Sequence, residues 1–198
     1  MLKTTLSYCA AGALDLLFPR VCAACCIRIR EPAALCTDCA VRLAAQINPS
    51  YCGCCGEDVG PFLLRDGRCP QCRNSRPGYA RMYRVARYAD AMRDLILRFK
   101  YGREPTLDAM LGDLLADLVA GCRELDGVTA WVPIPSPRRR IWQRGFQPTR
   151  LLADRLSLRT GRPRCDALRL IRRVTPQKLL HRDERTANIH GAFGVRRG

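Results

Sequence analysis

Eight cysteines in four pairs carry the clearest chemistry in this chain: Cys22 and Cys25, Cys36 and Cys39, Cys52 and Cys55, Cys69 and Cys72. A separation of two residues lets one tight turn aim both sulfurs at a single point, and two such turns complete the tetrahedral S4 shell that Zn2+ favours. Joining neighbours gives two closed structural sites, one from the first two pairs and one from the last two. The glycines and proline of "CGCCGEDVG" and "GRCPQC" suit the turns that such knuckles need. A redox-active C-x-x-C or an iron–sulfur cluster draws on the same ligands, but four pairs within 51 residues favour zinc. Cys26 and Cys54 adjoin the proposed ligands and leave the register within each knuckle open. Cys9, Cys122 and Cys165 stand alone, in the manner of small buried apolar residues.

A second stretch, "VPIPSPRRRIWQRGFQ" at residues 132–147, begins as a short apolar strand, breaks on three prolines and runs into four arginines. Backbone N–H groups and guanidinium forks converge where a strand opens into a basic helix start, which suits an anion. Neither G-x-G-x-x-G nor a P-loop is present, and no Ser–His–Asp or paired-carboxylate arrangement is legible. His181 and His190 do not fall at a spacing that completes a cysteine site and read as structural.

The elements that must position these groups follow from composition and periodicity. The chain of 198 residues has a formal net charge of +16, and residues 131–198 account for +13 of it. Clustered positive charge points to a polyanion, either nucleic acid or a phosphorylated small molecule. A GC-rich genome also explains part of the skew, since 31 of the 34 basic residues are arginine and only Lys3, Lys100 and Lys178 are lysine. The opening "MLKTTLSYCAAGALDLLF" is interrupted by Asp15 and lacks a small-x-small cleavage site, so residues 1–18 are expected to form an amphipathic helix rather than an export signal. No run of 18 apolar residues occurs, no membrane span is expected, and the cytoplasm is the simplest location.

Between the knuckles there is too little apolar sequence for an ordinary core, so metal is the expected source of stability for residues 19–75. "RNSRPG" reads as a linker to a second domain at residues 79–198. There, "YARMYRVARYA" alternates as a strand or hairpin does, and Met92, Leu95, Ile96 and Phe99 recur at helical spacing up to Gly102. A second helix is expected on Leu107 to Leu118, then a strand in "VTAWVPIP". A third helix follows from about Arg139 to Leu158, with Leu151, Leu152 and Leu156 inward. Helices alternating with short apolar strands predict an α/β domain with a mostly parallel sheet, whose ligands bind where strands open into helices.

"LLFPRVCAAC", the four knuckles, "LRFKYGRE", "VPIPSPRRRIWQRGFQ", the "TPQ" at Thr175 to Gln177 and "HRDERTANIHGAF" occur in this order. From about Leu16 to its last residue the sequence resembles the ComF (ComFC) family, competence-associated proteins with a double zinc ribbon followed by a type I phosphoribosyltransferase domain. The resemblance implies a Rossmann-like domain binding phosphoribosyl pyrophosphate with Mg2+, and a role with single-stranded DNA and the DNA-uptake proteins of transformation. The family's "RGFNQ" matches Arg144, Gly145 and Phe146 and then departs, with Gln147 for asparagine and Pro148 for glutamine. After "GAFGV" family members continue into a strand and an acidic loop of the type "DDVxTTGAT". The given sequence stops at Gly198, so the resemblance implies an incomplete domain, lacking that strand and loop, that binds phosphoribosyl pyrophosphate weakly or not at all and turns nothing over.

By the same resemblance Lys100, Tyr101, Pro135, Ser136, Arg138, Arg144 and Gly145 would face the pyrophosphate, and Gln177, Arg185 and Asn188 would lie on the substrate side. Each has a plainer reading. Lys100 at a helix end also suits the helix dipole, the arginines suit a solvated helix face, and Arg185 suits a surface ion pair. A non-catalytic zinc-ribbon protein that binds single-stranded nucleic acid, with basic residues on the phosphates and Tyr83, Tyr88, Trp142 or Phe146 stacking on bases, is the alternative to a phosphoribosyltransferase.

Overall fold

A computed structural model describes residues 19–31, 33–47 and 50–196; the expected helix at residues 1–18, with Cys9, lies outside the described residues. The chain divides into two compact units, one reaching to Arg98 and the other starting at Phe99.

The first unit is a duplicated turn. In its first copy an antiparallel bridge joins Val21 to Arg28, and in the second, thirty residues on, Tyr51 to Asp58. Both close with the same backbone pattern, Cys22 N–H to Ile27 and Cys26 N–H to Cys22 in one, Cys52 N–H to Glu57 and Gly56 N–H to Cys52 in the other. The turn requires a left-handed residue just after its second cysteine, and Cys26 (φ 65°) and Gly56 (φ 74°) occupy that place. The copies differ in how they end. Helix α1, Thr37–Ala44, carries Cys39 and buries Leu43, whereas Pro70–Cys72 makes only a single 3-10 turn.

The segment expected to open the second domain as a strand packs on the ribbons instead. Met82 N–H donates to Gly53 and Arg87 N–H to Gln46, and the Tyr79 hydroxyl donates to the Cys54 carbonyl. Its strand character is reduced, among the described residues, to one bridge, Ala86 to Ile47. The expected alternation in "YARMYRVARYA" is not kept, since residues of both parities meet the ribbon: Arg84 and Arg87 both reach the carboxylate of Asp58. Helix α2, Asp90–Tyr101, follows as expected and buries Ala91, Met92, Leu95 and Phe99. Within the first unit it is tied down by Asp90 to Arg42 at 2.9 Å and by the Arg98 guanidinium on the Cys22 carbonyl, also at 2.9 Å.

In the second unit α3, Leu107–Ala120, packs on α5, Pro148–Thr160. Ala116, Val119 and Leu156 form the buried centre, with Leu115, Leu125 and Trp131 against it. Close approach is possible because Gly112 has no side chain; a Cβ there would lie 2.4 Å from Cγ and 2.6 Å from Cβ of Arg155. Arg155 then grips Asp113 with two bonds of 2.8 Å. The single helix expected from Arg139 to Leu158 is two: α4, Arg138–Arg144, stops at left-handed Gly145, and α5 restarts with Pro148 in its first turn. Both breakers act through backbone torsion, which outweighs the apolar periodicity.

The expected parallel sheet is reduced, among the described residues, to one parallel bridge between Trp131 and Arg164. A two-stranded antiparallel pair, β1 (Leu168–Leu170) with β2 (Phe193–Val195), is the sheet that forms. Between its strands lies α6, Arg182–Ile189, whose N-terminus is closed by Glu184 accepting the His181 N–H at 2.9 Å. The second unit is thus mixed helix and strand. No helix among the described residues is long and apolar enough to cross a membrane.

Gly112→Ala is expected to destabilise the second unit, because overpacking at about 1–3 kcal/mol exceeds the ~1 kcal/mol helix-propensity gain; urea unfolding checks this, and a stabilised variant would refute the close approach. The Arg84 and Arg87 guanidinia hold the Asp58 carboxyl below its ordinary value, Arg84 contributing most, against burial. Because that value is depressed on folding, the stabilisation is complete above the ordinary carboxylate value of about 3.9 and is lost as pH falls through the folded-state value. The stability difference between the parent and Asp58→Asn should therefore narrow in acid, and a pH-independent difference would contradict it.

Candidate metal centres and basic turn

Each ribbon brings its four cysteine sulfurs within 4.8 Å of one another, Cys22, Cys25, Cys36 and Cys39 in the first and Cys52, Cys55, Cys69 and Cys72 in the second. Tetrahedral coordination at a Zn–S distance of about 2.3 Å puts sulfurs roughly 3.8 Å apart. Cys25 and Cys36 stand at 3.8 Å, and Cys55 and Cys69 at 3.9 Å. Both donor sets therefore fit zinc. The register left open by the sequence is resolved by the duplicated turn: Cys26 is its left-handed residue, and Cys54 packs beside the second site without joining it.

The sulfurs are prepared unequally. Burial opposes ionisation of Cys22, but backbone hydrogen bonds at Cys25, Cys36 and Ala24 outweigh it and bring the thiol down to about 6. Cys52 is buried likewise and is brought to about 6 by backbone hydrogen bonds at Cys55, Cys69 and Cys54. Burial pushes Cys39 up to about 12 despite the Arg42 guanidinium 3.0 Å from its sulfur. Hydrogen bonding to Cys69, with burial, also raises Cys72. The backbone thus favours the thiolate form at Cys22 and Cys52, while burial and neighbouring thiols oppose it at Cys39 and Cys72, and a bound cation would favour it at all four ligands of each ribbon.

In the second unit the basic turn is built on α4. Pro137 caps the helix and Gly145 ends it at φ 85°. Thr149, at the start of α5, donates to the Ile134 carbonyl at 2.8 Å and Gln147 to the same carbonyl at 3.4 Å. These two bonds fasten the extended segment before α4 to the next helix, a role that the sequence does not reveal for either residue. Of the residues expected at the pyrophosphate, Arg144 and Tyr101 meet, the guanidinium 5.2 Å from the ring centroid, and the adjacent Phe99 and Phe146 pair at 5.5 Å. Pro135 and Ser136 form the half-buried turn before the helix, and Lys100 is exposed on α2. Arg138 and Arg144 lie on different sides of α4, one exposed and one half-buried.

Gln177, Arg185 and Asn188 also come together, through backbone. Asn188 accepts from Thr175 N–H at 3.0 Å and donates to its carbonyl at 2.9 Å. Gln177 donates to the Arg185 carbonyl, and Arg185 to the Leu180 carbonyl, each at 3.3 Å. The three brace the segment before α6 against that helix.

Two zinc ions per chain are expected in metal analysis of protein purified without chelator. A value near zero, or the visible absorbance of an iron–sulfur cluster, would overturn the assignment. Cys72→Ser should lose the second ion and release the segment at residues 79–88 to proteolysis, since that segment is bonded to the second ribbon.

The double zinc ribbon domain family matches residues 13–73. Competence protein F of Haemophilus influenzae is 26% identical over 149 residues, covering 73% of this chain and 64% of that protein. The DNA utilization protein YhgH of Escherichia coli is 31% identical over 155 residues, covering 76% of this chain and 66% of the relative. YhgH of Salmonella typhi is 31% identical over 140 residues, 67% of this chain and 60% of that protein. The chain thus spans between half and two thirds of the length of the curated relatives it matches. No solved structure matches it significantly. The ribbon match, the paired S4 sites and relatives whose similarity extends well beyond the ribbons place this chain in the ComF family.

Proposed function

We propose that this protein serves in the uptake or utilization of DNA, with its ribbons as a zinc-stabilised platform and its basic second unit as the surface that takes single-stranded DNA. The observation that carries the reading is similarity to competence protein F and to the DNA utilization proteins over about three quarters of this chain. The charge distribution supports it, since residues 131–198 hold +13 of the net charge. Cationic side chains that bind the phosphates release counterions from the strand, so affinity falls steeply with salt.

A second reading concerns the phosphoribosyltransferase resemblance, which would make residues 79–198 a Rossmann-like domain handling phosphoribosyl pyrophosphate with Mg2+. Arg144 over Tyr101 beside the Pro135–Gly145 turn favours it, because a guanidinium fixed on a ring presents its fork to an anion with little loss of freedom. The turn would supply the pyrophosphate side of the grip. Positioning and charge neutralisation would be its contribution to a reaction in which pyrophosphate leaves an anomeric carbon. Gln177, Arg185 and Asn188 would then act indirectly, by holding the segment before α6.

Titration of the zinc-loaded chain with a fluorescent single strand should show binding that weakens by at least tenfold between low and physiological salt. Absent or salt-independent binding would refute the first reading. Calorimetry with inorganic pyrophosphate and Mg2+ tests the second: weak binding lost in Arg144→Ala is expected, and no heat from the parent would refute it without touching the first.

A further inference from the structure

The two tryptophans of the chain are treated in opposite ways. Trp131 packs against the α3–α5 core and donates its indole N–H to Thr160 at 2.9 Å. Trp142, in α4, is 87% exposed. An indole left in water is unusual, because it forgoes the burial of a large apolar surface.

Helical geometry explains where it points. At roughly 100° per residue, Arg138, Trp142, Arg139 and Gln143 occupy about 140° of arc on α4, and Arg140, Ile141 and Arg144 the remainder. Burial follows the same division: the first four are exposed and the last three half-buried. Arg138 and Arg139 stand four and three residues before Trp142, the spacing that places side chains side by side on a helix. Neither guanidinium has a hydrogen bond or ion pair among the described residues. Some other arginines of this unit are ion-paired, Arg155 on Asp113 and Arg164 on Asp154 and Asp166; what sets Arg138 and Arg139 apart is the exposed indole between them.

We propose that the outward face of α4 is a stacking platform for single-stranded nucleic acid, on which Trp142 takes a base and Arg138 and Arg139 take the flanking phosphates. The inference rests on the strand-binding reading above and locates it on a named surface. A flat indole between two unpaired guanidinia fits an unstacked base with its backbone. A duplex fits poorly, since its bases are already stacked on one another. The inward face of the same helix, with Arg144 over Tyr101, is left for a small anion.

The test uses the full zinc-loaded chain and an oligothymidylate. Trp142→Ala should weaken binding about tenfold, whereas Trp142→Phe should keep most of the affinity and lose most of the fluorescence quenching that the strand produces in the parent. Replacing Arg138 and Arg139 together by alanine should lower the salt slope by about 0.7 for each phosphate that is no longer neutralised. The exposure of all three side chains makes misfolding a poor explanation for these losses, and retained zinc content verifies it. If Trp142→Ala binds as tightly as the parent, the platform is wrong while the strand-binding function stands. If the parent binds no single strand, both fall.

Discussion

Each ribbon gathers four cysteine sulfurs at the spacing of a tetrahedral shell, an arrangement that suits a divalent cation, whose charge lets all four thiols ionise together. The second ribbon makes the dependence plain. Its buried cluster consists of Cys52, Cys54, Cys69 and Cys72, with Val59 and Leu64 packed against it among the described residues. Among the described residues no larger aliphatic cluster holds those loops, and a metal on the four cysteines would take its place. What is attached to the loops inherits the dependence. Tyr79, Met82 and Arg84 fasten residues 79–88 to the second ribbon, and Arg98 fastens α2 to the first through the Cys22 carbonyl.

That constraint also explains which features were legible in the sequence. Ligand spacing is a local covalent requirement, and it is written in the cysteines whatever the rest of the chain does. The left-handed position after each second cysteine was there to be read as well, but only by aligning the two copies, because Cys26 stands where the other copy has glycine. The break between α4 and α5 lay in Gly145 and Pro148, and the apolar pattern through Leu151, Leu152 and Leu156 obscured it. Sheet pairing was less accessible, since a strand is defined by a partner remote in sequence. Thus "VTAWVPIP" acquires only the Trp131–Arg164 bridge, and β1 and β2, from segments with no clear alternation, pair instead.

Carboxylates are scarce in the second unit, and their placement decides where positive charge remains available. Arg164 sits between Asp154 and Asp166, and Arg155 and Arg159 share Asp113. These pairs are partly exposed, so each adds little stability by itself. Their larger effect is on the field of the surface, because they neutralise charge near α5 and leave the outward arginines of α4 uncompensated.

The preference for arginine over lysine has structural consequences whatever its origin in the genome. A planar guanidinium stacks, and the described residues use the property repeatedly, with Arg84 over Tyr51 at 4.6 Å, Arg144 over Tyr101 at 5.2 Å, Arg81 over Tyr83 at 5.6 Å and Arg162 over Trp131 at 5.9 Å. The same plane makes two parallel bonds to Asp113 from Arg155. Lysine can do neither, since its ammonium is a compact, strongly hydrated charge. Where the guanidinium is stacked, as in Arg144, it is held in orientation before any ligand arrives; where it has no partner, as in Arg138 and Arg139, it stays free to follow a flexible chain of phosphates. One seven-residue helix therefore presents a fixed cation on one side and adaptable cations beside an exposed indole on the other. That division follows from helical periodicity acting on the order of residues in "RRRIWQR".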